Sequence, residues 1–169
     1  KRIVDLYREQ NDKIPLLWRE CDKALAHLAA WPTGSKDYSL GQHNVVWITP
    51  NGVELPNGLY IRYPNLRLVD QRYSYNSRKG EVNIWGGAMV ENIVQALARI
   101  IVGEQMLELY RLGYRAVLTV HDAAVVVVDK GGLDDAIKTI TTVMSTPPAW
   151  ATGLPVACEA KYGESYGQC

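Results

Sequence analysis

Ala116-Val-Leu-Thr-Val-His121-Asp122-Ala-Ala-Val-Val-Val-Val128 sets two apolar, β-branched runs on either side of one polar pair. That pattern predicts two buried strands joined by a tight turn with an acid at its tip. Rigid backbone on both sides makes such an Asp a good mounting for a metal ligand. Asp is also an ordinary turn residue, because it tolerates turn geometry, and the segment taken alone favours that plainer reading.

The flanking sequence supplies context. On the N-terminal side, Gly86-Gly87 opens the longest helix, predicted over 89–112, with Val90, Ile93, Val94, Leu97, Ile101 and Leu107 or Leu109 on a broad apolar face and Gly113 as its C-cap. Glu91, Asn92 and Gln95 are polar groups embedded in the first half of that apolar helix. Further back, alternation predicts strands over 45–49, 59–63, 66–69, 72–75 and 82–85, punctuated by Pro50-Asn51-Gly52, Leu55-Pro56-Asn57-Gly58 and a turn over 77–80. Residues 2–9 predict a short helix, and Asn11-Asp12 can cap a second one with Pro15 tolerated in its first turn. The stripe Ile14, Leu17, Trp18, Cys21, Leu25, Leu28 is a core face by its spacing, and Trp31-Pro32 ends the helix. Asp37-Tyr38-Ser39 falls in a polar loop between Gly34 and Gly41. On the C-terminal side come a turn over 129–132, a helix over 133–144, a rigid Thr146-Pro147-Pro148 connector and a last strand over 156–161. Consecutive hairpins rather than regular βαβ alternation predict an α+β class.

With 169 residues, 47% of them hydrophobic, the chain can bury one core. Eighteen basic residues balance 18 acidic ones, so net charge points neither toward nor away from nucleic acid. Residues 61–80 depart from this balance, holding Arg62, Arg67, Arg72, Arg78 and Lys79 against Asp70 alone, interleaved with Tyr63, Tyr73 and Tyr75. Such a mixture suits contact with a nucleic-acid strand; a solvated hairpin surface with aromatic cross-strand pairs explains it equally. Cys21, Cys158 and Cys169 lack CxxC spacing and fit reduced thiols in a cytosolic compartment, not a disulfide frame or zinc site. No run is long enough to span a membrane. A chain opening on Lys1 rather than Met is expected to be a piece of something longer.

Four ordered blocks decide between the readings: Leu55-Pro-Asn-Gly58 with Tyr63-Pro64; Gly86-Gly87 with Glu91-Asn-Ile-Val-Gln-Ala96; Val120-His-Asp122; and Pro148-Ala-Trp150 with Gly153-Leu-Pro155 and Glu159. Together they resemble the C-terminal third of family A (DNA polymerase I-like) DNA polymerases, bacteriophage members above all. The resemblance implies an antiparallel palm-type sheet with packed helices, part of a larger right-hand polymerase. Residues 1–44 would be a helical fingers-to-palm segment and 45–169 the palm. His121-Asp122 matches the family's third active-site motif, so Asp122 would be a catalytic, metal-binding carboxylate and His121 would lie near the primer end. Gln95 matches the helix Gln that contacts the nascent duplex, with Asn92 beside it. Arg62 and Arg67 would add phosphate contacts. The implied cofactor is Mg²⁺ in a two-metal site, whose hard ions choose carboxylate and phosphate oxygens. The implied partners are primer–template DNA, dNTP and an upstream portion carrying the first two motifs, working in the host cytoplasm.

The sequence departs from the family pattern in places. Ala123 replaces the Glu that ends the third motif, Leu59 stands where relatives tend to have Arg, and Ala88 stands where a Lys often follows Gly-Gly. Asp37-Tyr38-Ser39 imitates the first motif, but no buried apolar strand precedes it and no Lys-bearing fingers helix follows. The first catalytic Asp and the nucleotide-binding Lys are therefore expected outside this chain, which by itself should not polymerise. The rival expectation is a non-catalytic nucleic-acid-binding or scaffold module derived from a polymerase palm.

Overall fold

The computed structural model describes residues 2–168. They form two compact units, one running through Leu97 and the other starting at Ala98. The first opens with two helices, α1 (Arg2–Gln10) and α2 (Lys13–Ala30). Asn11 joins them by donating through Nδ2 to the Tyr7 carbonyl at 3.0 Å. Asp12 stands at the α2 N-cap but is itself helical (φ −57°) and makes no side-chain cap bond, so the expected Asp cap is replaced by this Asn11 link.

Strands β1 (Tyr38–Leu40), β2 (Val46–Thr49), β3 (Gly52–Glu54) and β4 (Tyr60–Ile61) follow in sheet order 1-2-3-4, antiparallel throughout. A second antiparallel sheet contains β5 (Arg67–Val69), β6 (Arg72–Ser77) and β7 (Gly80–Ile84). Helix α3 (Gly86–Arg111) runs from the first unit into the second. The second unit continues with the hairpin β8 (Ala116–Val120) and β9 (Ala123–Val126), helix α4 (Leu133–Met144), and 3-10 turns at Lys130–Gly132, Ala149–Ala151 and Tyr166–Gln168. Gly113 ends α3 with φ +91°, the left-handed conformation a glycine accepts without strain.

The core of the first unit gathers Cys21, Ala24 and Leu25 from α2, Val46, Ile48 and Val53 from the first sheet, Ile84 from β7, and Met89 and Ile93 from α3. This is the stripe expected from the α2 periodicity, with Leu17 and Leu28 packed at its margins. Gly86 has a steric reason: a Cβ there would overlap the Trp18 carbonyl oxygen of α2. At Gly87 a Cβ would run into the Trp85 ring, which folds back over it and meets Trp18 edge-on at 5.5 Å.

The α+β class and the antiparallel pairing agree with expectation, and three sequence-level expectations are corrected. The strands form three small sheets, not one continuous palm-type sheet, among the described residues. Tyr38-Ser39 is not in a loop: it pairs with Ile48 and Trp47, because the Tyr38 ring packs edge-on against His27 at 5.4 Å and Leu40 joins the core margin. Residues 156–161 form no strand. Val156, Cys158 and Ala160 alternate between half-buried and exposed neighbours as predicted, but a ladder also needs a partner strand. Here the Cys158 amide instead donates to Ser145 Oγ at 3.0 Å.

Candidate active-site residues

Val120 pairs with Ala123 across the β8–β9 hairpin, leaving His121-Asp122 as its two-residue turn. His121 has φ +54°, a conformation that costs an L-residue roughly 1–2 kcal/mol. Glycine is the usual choice at such a turn, so a histidine held there is a place where local structure yields to another requirement. Both side chains are exposed, and neither has a hydrogen-bond or ion-pair partner among the described residues. Ala123, the position of the missing Glu, opens β9 and is exposed as well.

The strands carrying this turn are less buried than their composition predicts. Val117 is 57% exposed, Leu118 48% and Val127 76%. The physical reason is topological: the hairpin is a sheet of two strands, so its outer edges and much of its apolar surface have no neighbour among the described residues. An isolated two-stranded ribbon is marginal in water.

The remaining expected residues belong to the first unit. Gln95 is exposed on α3 and donates from Nε2 to Glu91 Oε1 one turn earlier, at 3.2 Å. Asn92 is half-buried and donates from Nδ2 to the Tyr63 hydroxyl at 3.3 Å. Burial pushes the Tyr63 hydroxyl up to about 12, with the Asn92 bond working in the opposite direction. Asn92 is thus tied to the fold, whereas Gln95 presents itself to solvent.

The two arginines also differ. Arg62 is exposed, with its guanidinium 6.0 Å from the Tyr60 ring centroid. Arg67 spends its fork inside the second sheet, through Nη2 to Glu81 at 2.8 Å and Nη1 to the Asn65 carbonyl at 3.1 Å. Glu81 lies one residue beyond the basic 61–80 cluster, and its role as a partner appears only once β6 and β7 are in register. Arg72, Arg78 and Lys79 form no ion pair among the described residues.

A metal ion needs several convergent ligands. No group of three or more His, Cys, Asp or Glu side chains that could hold one occurs among the described residues. Asp122, with His121 next to it, can supply one hard oxygen ligand and no complete site. Surface grooves of about 440 Å³ beside Leu107, Val143 and Pro147, and of about 380 Å³ beside Asp70, Arg72 and Asn83, are lined by other residues. No described helix is long and apolar enough to cross a membrane.

The chain is 29% identical over 178 aligned residues to the DNA polymerase of Bacillus phage SP02. The match takes in 97% of this chain and 26% of that protein, so the chain spans about a quarter of the length of its relative. No protein family and no solved structure matches the chain significantly.

Proposed function

We propose that this chain is the C-terminal portion of a family A-type DNA polymerase and contributes one carboxylate, Asp122, to its nucleotidyl-transfer site. The observation that carries this reading is the near-complete alignment with a phage DNA polymerase, joined to the placement of His121-Asp122 at the strained tip of an apolar hairpin. In this reading residues 1–44 pass from fingers to palm and 45–169 form the palm portion, acting in the cytoplasm of a phage's host.

The hairpin's incompleteness supports a need for the rest of the enzyme. Its apolar faces and open edges suit burial beneath further strands, and its lone acid suits a site whose second carboxylate arrives from elsewhere. Magnesium, when bound, would neutralise charge developing on the transferred phosphoryl group. Asp122 would supply an oxygen to hold it there. The turn geometry keeps that oxygen at a fixed point on a short, stiff element, which is what in-line positioning of a 3′-hydroxyl and an α-phosphate requires. Gln95, free on its helix, would meet the duplex by hydrogen bonding, and Arg62 would meet phosphate; both contacts position the nucleic acid and do no chemistry. Asn92 would act through Tyr63, by holding the helix in place.

A test mixes the 169-residue chain with the remaining portion of the cognate polymerase and measures primer extension with Mg²⁺ and dNTPs. Extension is expected only from the mixture, and Asp122→Ala should reduce it by a factor of a thousand or more. Extension by this chain alone, or extension indifferent to Asp122→Ala, would sink the proposal. Ala123 favours the second reading, a palm-derived module that binds nucleic acid without chemistry; for that module the mixture binds primer–template DNA but extends nothing.

A further inference from the structure

α1 is an amphipathic helix with nothing on its apolar side. Ile3 is 82% exposed, Val4 49%, Leu6 47% and Tyr7 50%, and no residue of the helix is buried. Nine residues are too few for a helix to hold in water by propensity; helices of this length persist because an apolar face is packed. Two ties connect it to its surroundings: the Arg8 guanidinium lies 5.9 Å from the Trp18 ring centroid, and Asn11 bonds to the Tyr7 carbonyl. Both hold the C-terminal half of the helix and leave Ile3, Val4 and Leu6 uncovered.

We propose that this face docks onto the portion of the polymerase outside this chain, an inference that rests on the function proposed above. The chain spans 26% of its phage relative, so roughly three-quarters of an enzyme of that size must find surface to pack against. The chemistry of the face selects protein over DNA. A duplex-binding helix presents Lys and Arg to phosphates, whereas Ile3, Val4, Leu6 and Tyr7 offer only apolar and aromatic surface, the composition of a permanent protein interface. The occupant is accordingly an apolar surface on the remaining polymerase portion.

The experiment compares wild type with an Ile3→Asp/Leu6→Asp double variant, each mixed with the remaining polymerase portion expressed as a separate chain. Both side chains are exposed, so the far-UV circular dichroism of the free chain should be unchanged. Association of the double variant should be at least tenfold weaker, and the amides of residues 3–10 should gain hydrogen-exchange protection when the wild-type complex forms. Wild-type affinity in the double variant overturns the inference. So does an unprotected α1 in the complex, or a free wild-type chain that is a dimer which the double variant makes monomeric, since a second copy would then be the occupant. Asp122→Ala separates this inference from the one beneath it. Asp122-dependent extension together with unimpaired binding of the double variant removes only the docking face. A stable complex with no extension removes only the polymerase reading.

Discussion

The carboxylate of Asp22, in α2, accepts a hydrogen bond from the amide of Gly86 at the first residue of α3, 2.5 Å away across 64 positions of sequence. Helix starts leave amides without partners, and here the partner is borrowed from another helix. The same contact brings the α2 backbone so close that only glycine fits at position 86.

Asp22→Ala should therefore lower stability by about 1 kcal/mol, the usual cost of losing a cap. Gly86→Ala should cost more, about 1–3 kcal/mol or above, because it forces α2 and α3 apart. Urea denaturation of the two variants checks both the direction and the order.

His121→Gly separates folding from function at the hairpin tip. Removing the left-handed strain is expected to leave stability unchanged or raise it by up to about 1 kcal/mol, part of the gain being offset by the entropy of glycine. Primer extension by the reconstituted enzyme should nevertheless fall. A His121→Gly variant that is both less stable and fully active would contradict the role given to this residue.

Asp70 and Gln71 form the two-residue turn between β5 and β6, both with positive φ, +47° and +62°. Asp-Gly is a favoured pair for such turns and Asp-Gln is not. Gln71→Gly should stabilise the chain by about 0.5–1 kcal/mol without touching Gln95 or the His121-Asp122 turn. Thermal unfolding, with Gln71→Ala as the unfavourable control, measures it.

Alkaline pH should loosen the first unit. Burial, reinforced by Asp22 and Glu20, pushes the Cys21 thiol up to about 12, and burial also pushes the Tyr63 hydroxyl up to about 12. Both are acids whose neutral form the fold prefers. Their stabilisation is complete below their ordinary values, about 8.5 for Cys and 10 for Tyr, and is lost as pH rises from there toward 12. Urea midpoints should be insensitive to these groups at pH 7 and fall steadily from pH 9 to 11, less steeply in Cys21→Ala. Cys21 should resist thiol reagents at pH 8 until the chain unfolds, since the reactive species is the thiolate.

What the sequence determined by itself is what short-range chemistry governs. Spacing along α2 and α4, the Gly113 stop, and the polar pair between two β-branched runs all act within a few residues, so the elements and the His121-Asp122 turn were legible, as was the order of blocks that led to a polymerase. Tertiary structure decided everything whose partner lies far along the chain. It assigned Asp22 to Gly86 and Arg67 to Glu81, turned Tyr38 into a strand residue by giving it Ile48, and denied residues 156–161 a strand by giving them none. It also left the β8–β9 hairpin less covered than its composition predicts. Composition records how much surface a segment needs to bury; only the folded neighbours determine whether that burial happens.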